Sequence, residues 1–190
     1  YLILFFIVCT ISVKAQDITN AVNLDRYAND TLPYPCKVVF IGNSITEGWV
    51  KASPDFFISN RYVGRGISGQ TSSQLLLRFR QDVINLHPQI VVITAGTNDI
   101  AENTGKYNPE LTMDCIRSMT DIARQNDIRV ILSSVLPVAE FPWRKDIRQI
   151  PQKVDDLNKR IREYAGEKGI SYIDYNSMMR DKNGGLPEKY

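Results

Sequence analysis

Runs of consecutive apolar residues recur along the chain, and each is followed by a longer segment with apolar residues at helical spacing. The runs cover 38–41, 90–95 and 130–135, and shorter ones begin at Tyr62 and Ser171. Such runs are typical of strands that are buried on both faces of a parallel sheet. The pattern therefore predicts five strands.

The segments between these runs have the periodicity of amphipathic helices. We predict helices over about 71–86, 109–126 and 150–168. In the second of them, one stripe of side chains should face the core: Leu111, Cys115, Ile116, Met119 and Ile122. Strands that alternate with helices predict an α/β fold, a single doubly wound, flavodoxin-like parallel sheet of five strands with strand order 2-1-3-4-5. Helices on both faces would make a three-layer α/β/α domain over 16–190.

Composition and charge are those of an ordinary globular enzyme or binding protein. The chain has 190 residues, 43% of them hydrophobic, and a formal net charge of +2. Such a weak charge gives no electrostatic footprint for nucleic acid or for an anionic membrane, and we exclude nucleic acid as a partner. No clustered ligand spacing suggests a metal, and we expect neither a metal nor a cofactor.

The first residues differ from the rest. Residues 1–13 are almost wholly apolar and are followed by Lys14 and Ala15. The stretch is shorter than the roughly 20 residues that span a bilayer and resembles a secretory signal, so we predict a signal peptide over 1–15, clipped at its start. The protein would then be secreted or periplasmic. A membrane anchor is the alternative, whereas Val8 before Cys9 disfavours a lipoprotein signal.

Cleavage after Ala15 would leave two cysteines, Cys36 and Cys115. An oxidising compartment would allow them to pair, but their spacing indicates neither redox nor metal chemistry. We expect free thiols and leave the pairing open.

The first strand stops at Gly42, Asn43 and Ser44. Ligands of open parallel sheets bind at the carboxyl ends of the strands, where a serine that opens the next helix exposes its hydroxyl beside unpaired N–H groups. Ser44 is therefore a candidate nucleophile. The alternative is that Ser44 is simply the helix cap, since serine is favoured there.

Two further polar segments follow strands of the same sheet. Gly64, Gly66 and Gly69 predict a loop that leaves the second strand, because three glycines in six residues are too many for a strand interior. Their G-x-G-x-x-G spacing alone is weak evidence for a phosphate site. The third strand ends at 96–99. In the predicted strand order Ser44, Gly69 and Asn98 lie at one edge of the sheet.

Three blocks in these segments, 42–46, 66–71 and 96–99, resemble signature blocks of the SGNH (GDSL-like) hydrolases. The resemblance implies that Ser44 attacks an ester carbonyl to form an acyl-enzyme. It also implies an oxyanion hole formed by the backbone N–H groups of Ser44 and Gly69 and the side-chain amide of Asn98. Asn43 and Gly64 are small departures from the usual residues, and neither removes a catalytic group.

The resemblance implies a serine esterase or acylhydrolase, with acetyl esters of carbohydrates, lysophospholipid-like esters and aryl esters as possible substrates. Asn43 and Asp99, which belong to the blocks, are the expected substrate contacts, together with Trp143 in the loop after the fourth strand. The sequence does not choose among these substrates and does not indicate an oligomeric state.

The fourth block of the family, an Asp-x-x-His that supplies the base, is missing. The chain has one histidine, His87, before the third strand and so at the edge opposite Ser44. We expect that the sequence stops before this block, that the natural protein is an active esterase, and that this version is nearly inert. Two alternatives are a non-catalytic carbohydrate-binding relative and a flavodoxin-like nucleotide or flavin binder that uses the glycine loop.

Overall fold

A five-stranded parallel sheet forms the centre of the computed structural model, which describes residues 18–32 and 34–187. The strand order is β2-β1-β3-β4-β5, as predicted. The strands are β1 (Val38–Gly42), β2 (Tyr62–Gly66), β3 (Ile90–Ile93), β4 (Arg129–Ser133) and β5 (Ser171–Ile173). The helices are α1 (Ile18–Val22), α2 (Ser44–Ala52), α3 (Pro54–Asn60), α4 (Ser72–Asp82), α5 (Thr97–Ile100), α6 (Pro109–Arg124), α7 (Ile150–Lys168) and α8 (Tyr175–Met179).

The helices divide between the two faces of the sheet, which confirms the predicted α/β class. The alternate residues Val39 and Ile41 of β1 are fully buried in the core to which Leu75 and Phe79 of α4 also belong. The Phe40 ring points to the other face, where α2 and α3 cover β1 and β2. On that face an aromatic cluster fills the contact: Phe40, Trp49, Phe56, Phe57 and Tyr62.

The strand register places the loops that follow β1, β2 and β3 at one edge of the sheet. Gly42 pairs with Gly66 on β2, and Ile41 pairs with Ile93 on β3. All three strands therefore end at the same level, which is the condition for a shared site at their carboxyl ends.

The second strand differs from the prediction. Gly64 and Gly66 lie within β2, and only Ile67 begins the loop. A Cβ on Gly64 would lie 2.1 Å from a methyl group of Val50 on α2. The glycines let a helix approach the strand closely rather than letting the strand turn, so the interpretation of 64–69 as one loop is wrong.

Smaller differences concern helix ends and single side chains. The predicted helix over 71–86 ends at Asp82 as α4, and a short 3₁₀ helix, Ile84–Leu86, follows it. Leu111 is 53% exposed, so its predicted place in the core stripe is wrong; the neighbouring Thr112 and Met113 face the core instead. Cys36 and Cys115 are buried and unpaired. The predicted signal peptide lies outside the described residues, and among the helices that are described none is both long and apolar enough to cross a membrane.

Candidate active site

Ser44 begins α2 directly after β1, and it is exposed. The cap of this helix is Asn43, whose side-chain oxygen accepts a hydrogen bond from the backbone N–H of Ile45 at 3.1 Å. The alternative that Ser44 is the helix cap is therefore wrong. The Ser44 N–H belongs to the unpaired groups at the helix start. Asn43 itself is 1% exposed, and its contact with a substrate stays a prediction, as does the role of Ser44 as nucleophile.

Close packing of α2 on the sheet fixes the position of Ser44. A Cβ on Gly42 would lie 2.2 Å from the Thr46 hydroxyl oxygen, and a Cβ on Gly66 would lie 2.2 Å from the Glu47 backbone nitrogen. At Gly66 the close atoms belong to the backbone, so no side chain fits there without moving the helix; at Gly42 the Thr46 side chain would have to move. The two glycines therefore hold the first turn of α2 against the ends of β1 and β2.

The turn 67–70 leaves β2 and lies over the end of β1. The Ile67 N–H donates to the Gly42 carbonyl at 3.2 Å, and the Gln70 N–H donates to the Ile67 carbonyl at 3.3 Å. Gly69 adopts a φ of 79°, a region that side chains disfavour, and it is exposed. The role of the Gly69 N–H as a donor in an oxyanion hole stays a prediction.

A carboxylate joins α2 to the same turn. One oxygen of Glu47 accepts hydrogen bonds from the Ser68 backbone nitrogen at 2.9 Å and from the Ser68 hydroxyl at 2.6 Å. The other oxygen accepts from Lys51 at 2.8 Å and from Arg26 at 3.2 Å. The hydrogen bonds from Lys51 and Ser68 lower the pKa of Glu47 to about 2. Glu47 is therefore ionised at neutral pH and holds the helix that begins at Ser44 to the turn.

Asn98 connects this turn to the segment after β3. It is 3% exposed in α5, and its side-chain amide donates to the Gln70 carbonyl at 2.9 Å. The amide of Asn103 donates to the Gly69 carbonyl, also at 2.9 Å. An amide nitrogen carries two hydrogens, so Asn98 keeps one for a second acceptor. The second and third sequence blocks are thus in direct contact, next to Gly69.

Asp99 turns away from this contact toward α4 and α6. Its carboxylate accepts hydrogen bonds from the Ser72 N–H at 3.0 Å, from the Ser72 hydroxyl at 2.5 Å and from the Thr112 hydroxyl at 3.2 Å. Burial raises the pKa of Asp99, and the hydrogen bonds from Ser72 and Thr112 oppose that shift. These internal contacts tie α5 to its neighbours, and the predicted contact with a substrate stays a prediction.

Trp143 lies in the loop between β4 and α7 and is 60% exposed. Its ring packs at 5.3 Å from the buried ring of Phe141. The next residue, Arg144, donates to the carbonyls of Ala101 and Glu102 at 2.9 Å each, just after α5. The loop is thereby fixed beside the segment that carries Asn98. The structure leaves Trp143 available to a ligand, and its role as a substrate contact stays a prediction.

His87 follows the 3₁₀ helix and precedes β3, with a φ of 48° and an exposed side chain. It lies at the amino end of β3, whereas Ser44 follows the carboxyl end of the neighbouring β1. A strand rises about 3.3 Å per residue, so the length of the strand separates the two side chains. His87 is the one histidine of the sequence, and it supplies no base to Ser44.

Four polar residues that sequence reasoning missed hold the site together: Glu47, Gln70, Arg78 and Asn103. Glu47 and Gln70 lie inside or next to the recognised blocks, which is a signal that could have found them. Arg78 and Asn103 have no such signal for their contacts with Gly42 and Gly69, which lie 36 and 34 positions away in the sequence.

Three features lie together at the carboxyl edge of this open parallel sheet: an exposed serine at a helix start, a glycine turn and a buried asparagine. This arrangement is expected of an α/β acylhydrolase. The sequence profile of the GDSL-like Lipase/Acylhydrolase family matches residues 40–190. The chain belongs to this family, which confirms the resemblance found in the sequence.

Proteins of known structure or curated sequence agree with this assignment. The structure of a GDSL-like lipase from Bacteroides thetaiotaomicron is 53% identical, with a TM-score of 0.85, and the match covers 89% of this chain and 86% of that one. The platelet-activating factor acetylhydrolase IB subunit beta homolog of Drosophila melanogaster is 25% identical over 78% of this chain and 68% of its own length. The uncharacterized lipoprotein YqeF of Bacillus subtilis is 31% identical over 40% of this chain, and the match spans only 32% of that protein.

Proposed function

We propose that this protein is a serine esterase that cleaves carboxylic esters through an acyl-enzyme on Ser44. The observation that carries the proposal is the hydrogen bond from the Asn98 amide to the Gln70 carbonyl at 2.9 Å. It brings two of the three proposed oxyanion donors together at the edge where α2 presents Ser44. Preorganised donors of this kind typically contribute roughly 2.7–4 kcal/mol each to lowering the barrier.

In the proposed reaction the Ser44 hydroxyl oxygen attacks the ester carbonyl carbon and gives up its proton. The carbonyl oxygen becomes an oxyanion that accepts hydrogen bonds from the N–H groups of Ser44 and Gly69 and from the Asn98 amide. Collapse of the tetrahedral intermediate breaks the bond to the alcohol, which takes a proton as it leaves. Water then attacks the acyl-enzyme and releases the acid.

The proton of Ser44 needs an acceptor, and these 190 residues provide no histidine within reach of it. The test of the proposal therefore supplies a proton acceptor from solution. A small base in solution, such as imidazole, can take that role if the serine and the oxyanion donors are already in place.

For the substrate we propose a small acyl group, acetyl above all, on a carbohydrate or another bulky alcohol. The printed name of the Drosophila relative, an acetylhydrolase, supports the acyl part. The exposed Trp143 beside Phe141 supports the alcohol part, since an exposed indole ring can stack on a sugar. The apolar stretch at 1–13 supports a place of action outside the cytoplasm.

The test is hydrolysis of p-nitrophenyl acetate by the 190-residue chain, with and without added imidazole. We expect turnover to be slow without imidazole and to rise with imidazole in excess of the protein-free rate. The Ser44→Ala variant should lose that excess, whereas Ser59→Ala, which removes an exposed hydroxyl of α3, should retain it. Equal rates for the native chain and Ser44→Ala at every imidazole concentration would refute the proposal.

A non-catalytic carbohydrate-binding protein is the second candidate, and the exposed Trp143 ring, which can stack on a sugar without any reaction, favours it. It predicts that an acetylated oligosaccharide binds equally well to the native chain and to Ser44→Ala, with no acetate released even with imidazole. Isothermal titration calorimetry with acetylated xylo-oligosaccharides, followed by an acetate assay, separates the two candidates.

A further inference from the structure

Arg78, on α4, is fully buried, at 0% exposure, and its guanidinium contacts four acceptors. Two are backbone carbonyls at strand ends: Gly42 on β1 at 2.8 Å and Arg65 on β2 at 2.9 Å. The others are the side-chain oxygens of Gln70 at 2.6 Å and of Asp82 at 2.7 Å. A planar guanidinium can satisfy several fixed acceptors at once, which a lysine ammonium does less well.

These contacts reach all three parts of the proposed site. Gly42 lies two residues before Ser44, and Gln70 directly follows Gly69. The backbone carbonyl of Gln70 accepts the hydrogen bond from Asn98. One buried side chain therefore connects the end of β1 with the turn that carries Gly69 and that accepts the hydrogen bond from Asn98.

We infer that Arg78 is a positioning residue, which holds the Gly69 N–H and the Asn98 amide in register with Ser44 by acting through Gln70. The inference rests on the proposed function, because a register matters only if the three groups act on one substrate. Arg78 itself lies in the core, beneath the site, and does not touch the substrate.

A purely structural role would be the simple alternative, since Arg78 and Asp82 form a buried ion pair within α4. If Arg78 only stabilised α4, its ion pair with Asp82 would be sufficient. The side chain instead divides its donors among four groups, three of which belong to the ends of β1 and β2 and the turn after β2. The Gln70 side chain is also fixed from its other end, because its amide donates to the Val22 carbonyl at 2.5 Å.

The experiment compares Arg78→Lys with the matched control Arg80→Lys, which changes an exposed residue of the same helix. Esterase activity is measured with p-nitrophenyl acetate and imidazole, and Gly69 and Asn98 are followed by their amide signals in ¹⁵N NMR spectra. Arg78→Lys should lower kcat about ten- to a hundredfold with KM within about twofold, as a misplaced catalytic group does. It should shift the Gly69 and Asn98 amide signals, and Arg80→Lys should do neither.

Gln70→Met provides a second variant in which Arg78 and Asp82 keep their ion pair. If Arg78 acts through Gln70, this variant should lower kcat similarly, and the double variant should be no worse than Arg78→Lys alone. A folded Arg78→Lys protein with native kcat and unshifted amide signals would overturn the inference. So would additive losses in the double variant. Failure of the native chain to hydrolyse any ester would instead refute the proposed function, and the NMR comparison would still decide whether Arg78 positions the two amides.

Discussion

The Glu47 carboxylate accepts two hydrogen bonds from Ser68, one from its backbone N–H at 2.9 Å and one from its hydroxyl at 2.6 Å. Glu47 lies on the helix that begins at Ser44, and Ser68 directly precedes Gly69. This contact therefore joins the helix of the proposed nucleophile, Ser44, to the turn of one proposed oxyanion donor, Gly69.

The Glu47 link should be sensitive to acid. The folded-state pKa is about 2 against an ordinary value of 4.5, so the ionised form is the one that folding stabilises. The stabilisation is complete above about pH 4.5 and is lost as the pH falls toward about 2. Glu47→Gln cannot ionise, so its free energy of unfolding should be lower at neutral pH and should change less in that interval.

Urea unfolding at a series of pH values measures this difference. Glu163→Gln removes an exposed carboxylate from an i,i+4 ion pair with Lys159 and should leave the native pH dependence unchanged. If Glu47→Gln lost as much stability in acid as the native chain, the contact with Ser68 would not depend on the charge of Glu47.

Asn98→Ala should reduce catalysis more than it reduces substrate binding. Loss of one oxyanion donor lowers kcat about 10²- to 10³-fold. Asn103→Ala is the matched control, because Asn103 also holds a carbonyl of the same turn at 2.9 Å but is exposed and has no proposed part in the oxyanion hole. Steady-state kinetics with p-nitrophenyl acetate and imidazole should show a large fall in kcat for the first variant only. Equal falls in both would mean that Asn98 only supports the turn.

Gly66→Ala should be strongly destabilising. The new methyl group would lie 2.2 Å from the Glu47 nitrogen and 2.7 Å from the Asn43 carbonyl oxygen, and both are backbone atoms that cannot move alone. Overpacking of this kind typically costs about 1–3 kcal/mol, and the displaced helix would move Ser44. Differential scanning calorimetry should show a lower Tm and the esterase assay a lower rate.

Gly48→Ala is the matched control, because it places the same methyl group on α2 itself, at an unobstructed position. Apart from the adjacent residues and backbone of its own helix, no described atom lies within 4 Å of a Cβ at this position, and replacing glycine with alanine in a helix typically adds roughly 0.5–1 kcal/mol of stability. Its Tm should rise. A Gly66→Ala protein as stable as the Gly48→Ala protein would contradict the close packing of α2 on β2.

Trp143→Ala tests the proposed contact between Trp143 and the substrate. Because Trp143 is 60% exposed, its loss should leave the Tm nearly unchanged. The KM for an acetylated oligosaccharide should rise severalfold, whereas the KM for p-nitrophenyl acetate should stay within about twofold. Equal effects on both substrates would remove Trp143 from the site.

Much of the architecture was predictable because it depends on local patterns. The apolar runs at 38–41 and 90–95 and the alternation with helices sufficed for the parallel sheet and its strand order. The blocks around Ser44, Gly69 and Asn98 sufficed for the family. Each of these features is written in a few neighbouring residues, so it could be recognised before any long-range contact was known.

The support of the site depends on contacts between distant segments, and these were decided by the tertiary structure. Gly64 and Gly66 have the composition of a loop, yet they lie in β2 because α2 needs the space that a side chain would fill. The partners of Arg78 include Gly42, 36 positions away, and such a partner becomes identifiable only when the strands are in register. The sequence by itself determined the fold class, the family and the candidate groups for the proposed chemistry. Burial and packing decided how those groups are held, since Arg78 and Glu47 bind not only helix neighbours but also strand ends and a turn that the fold alone brings within reach.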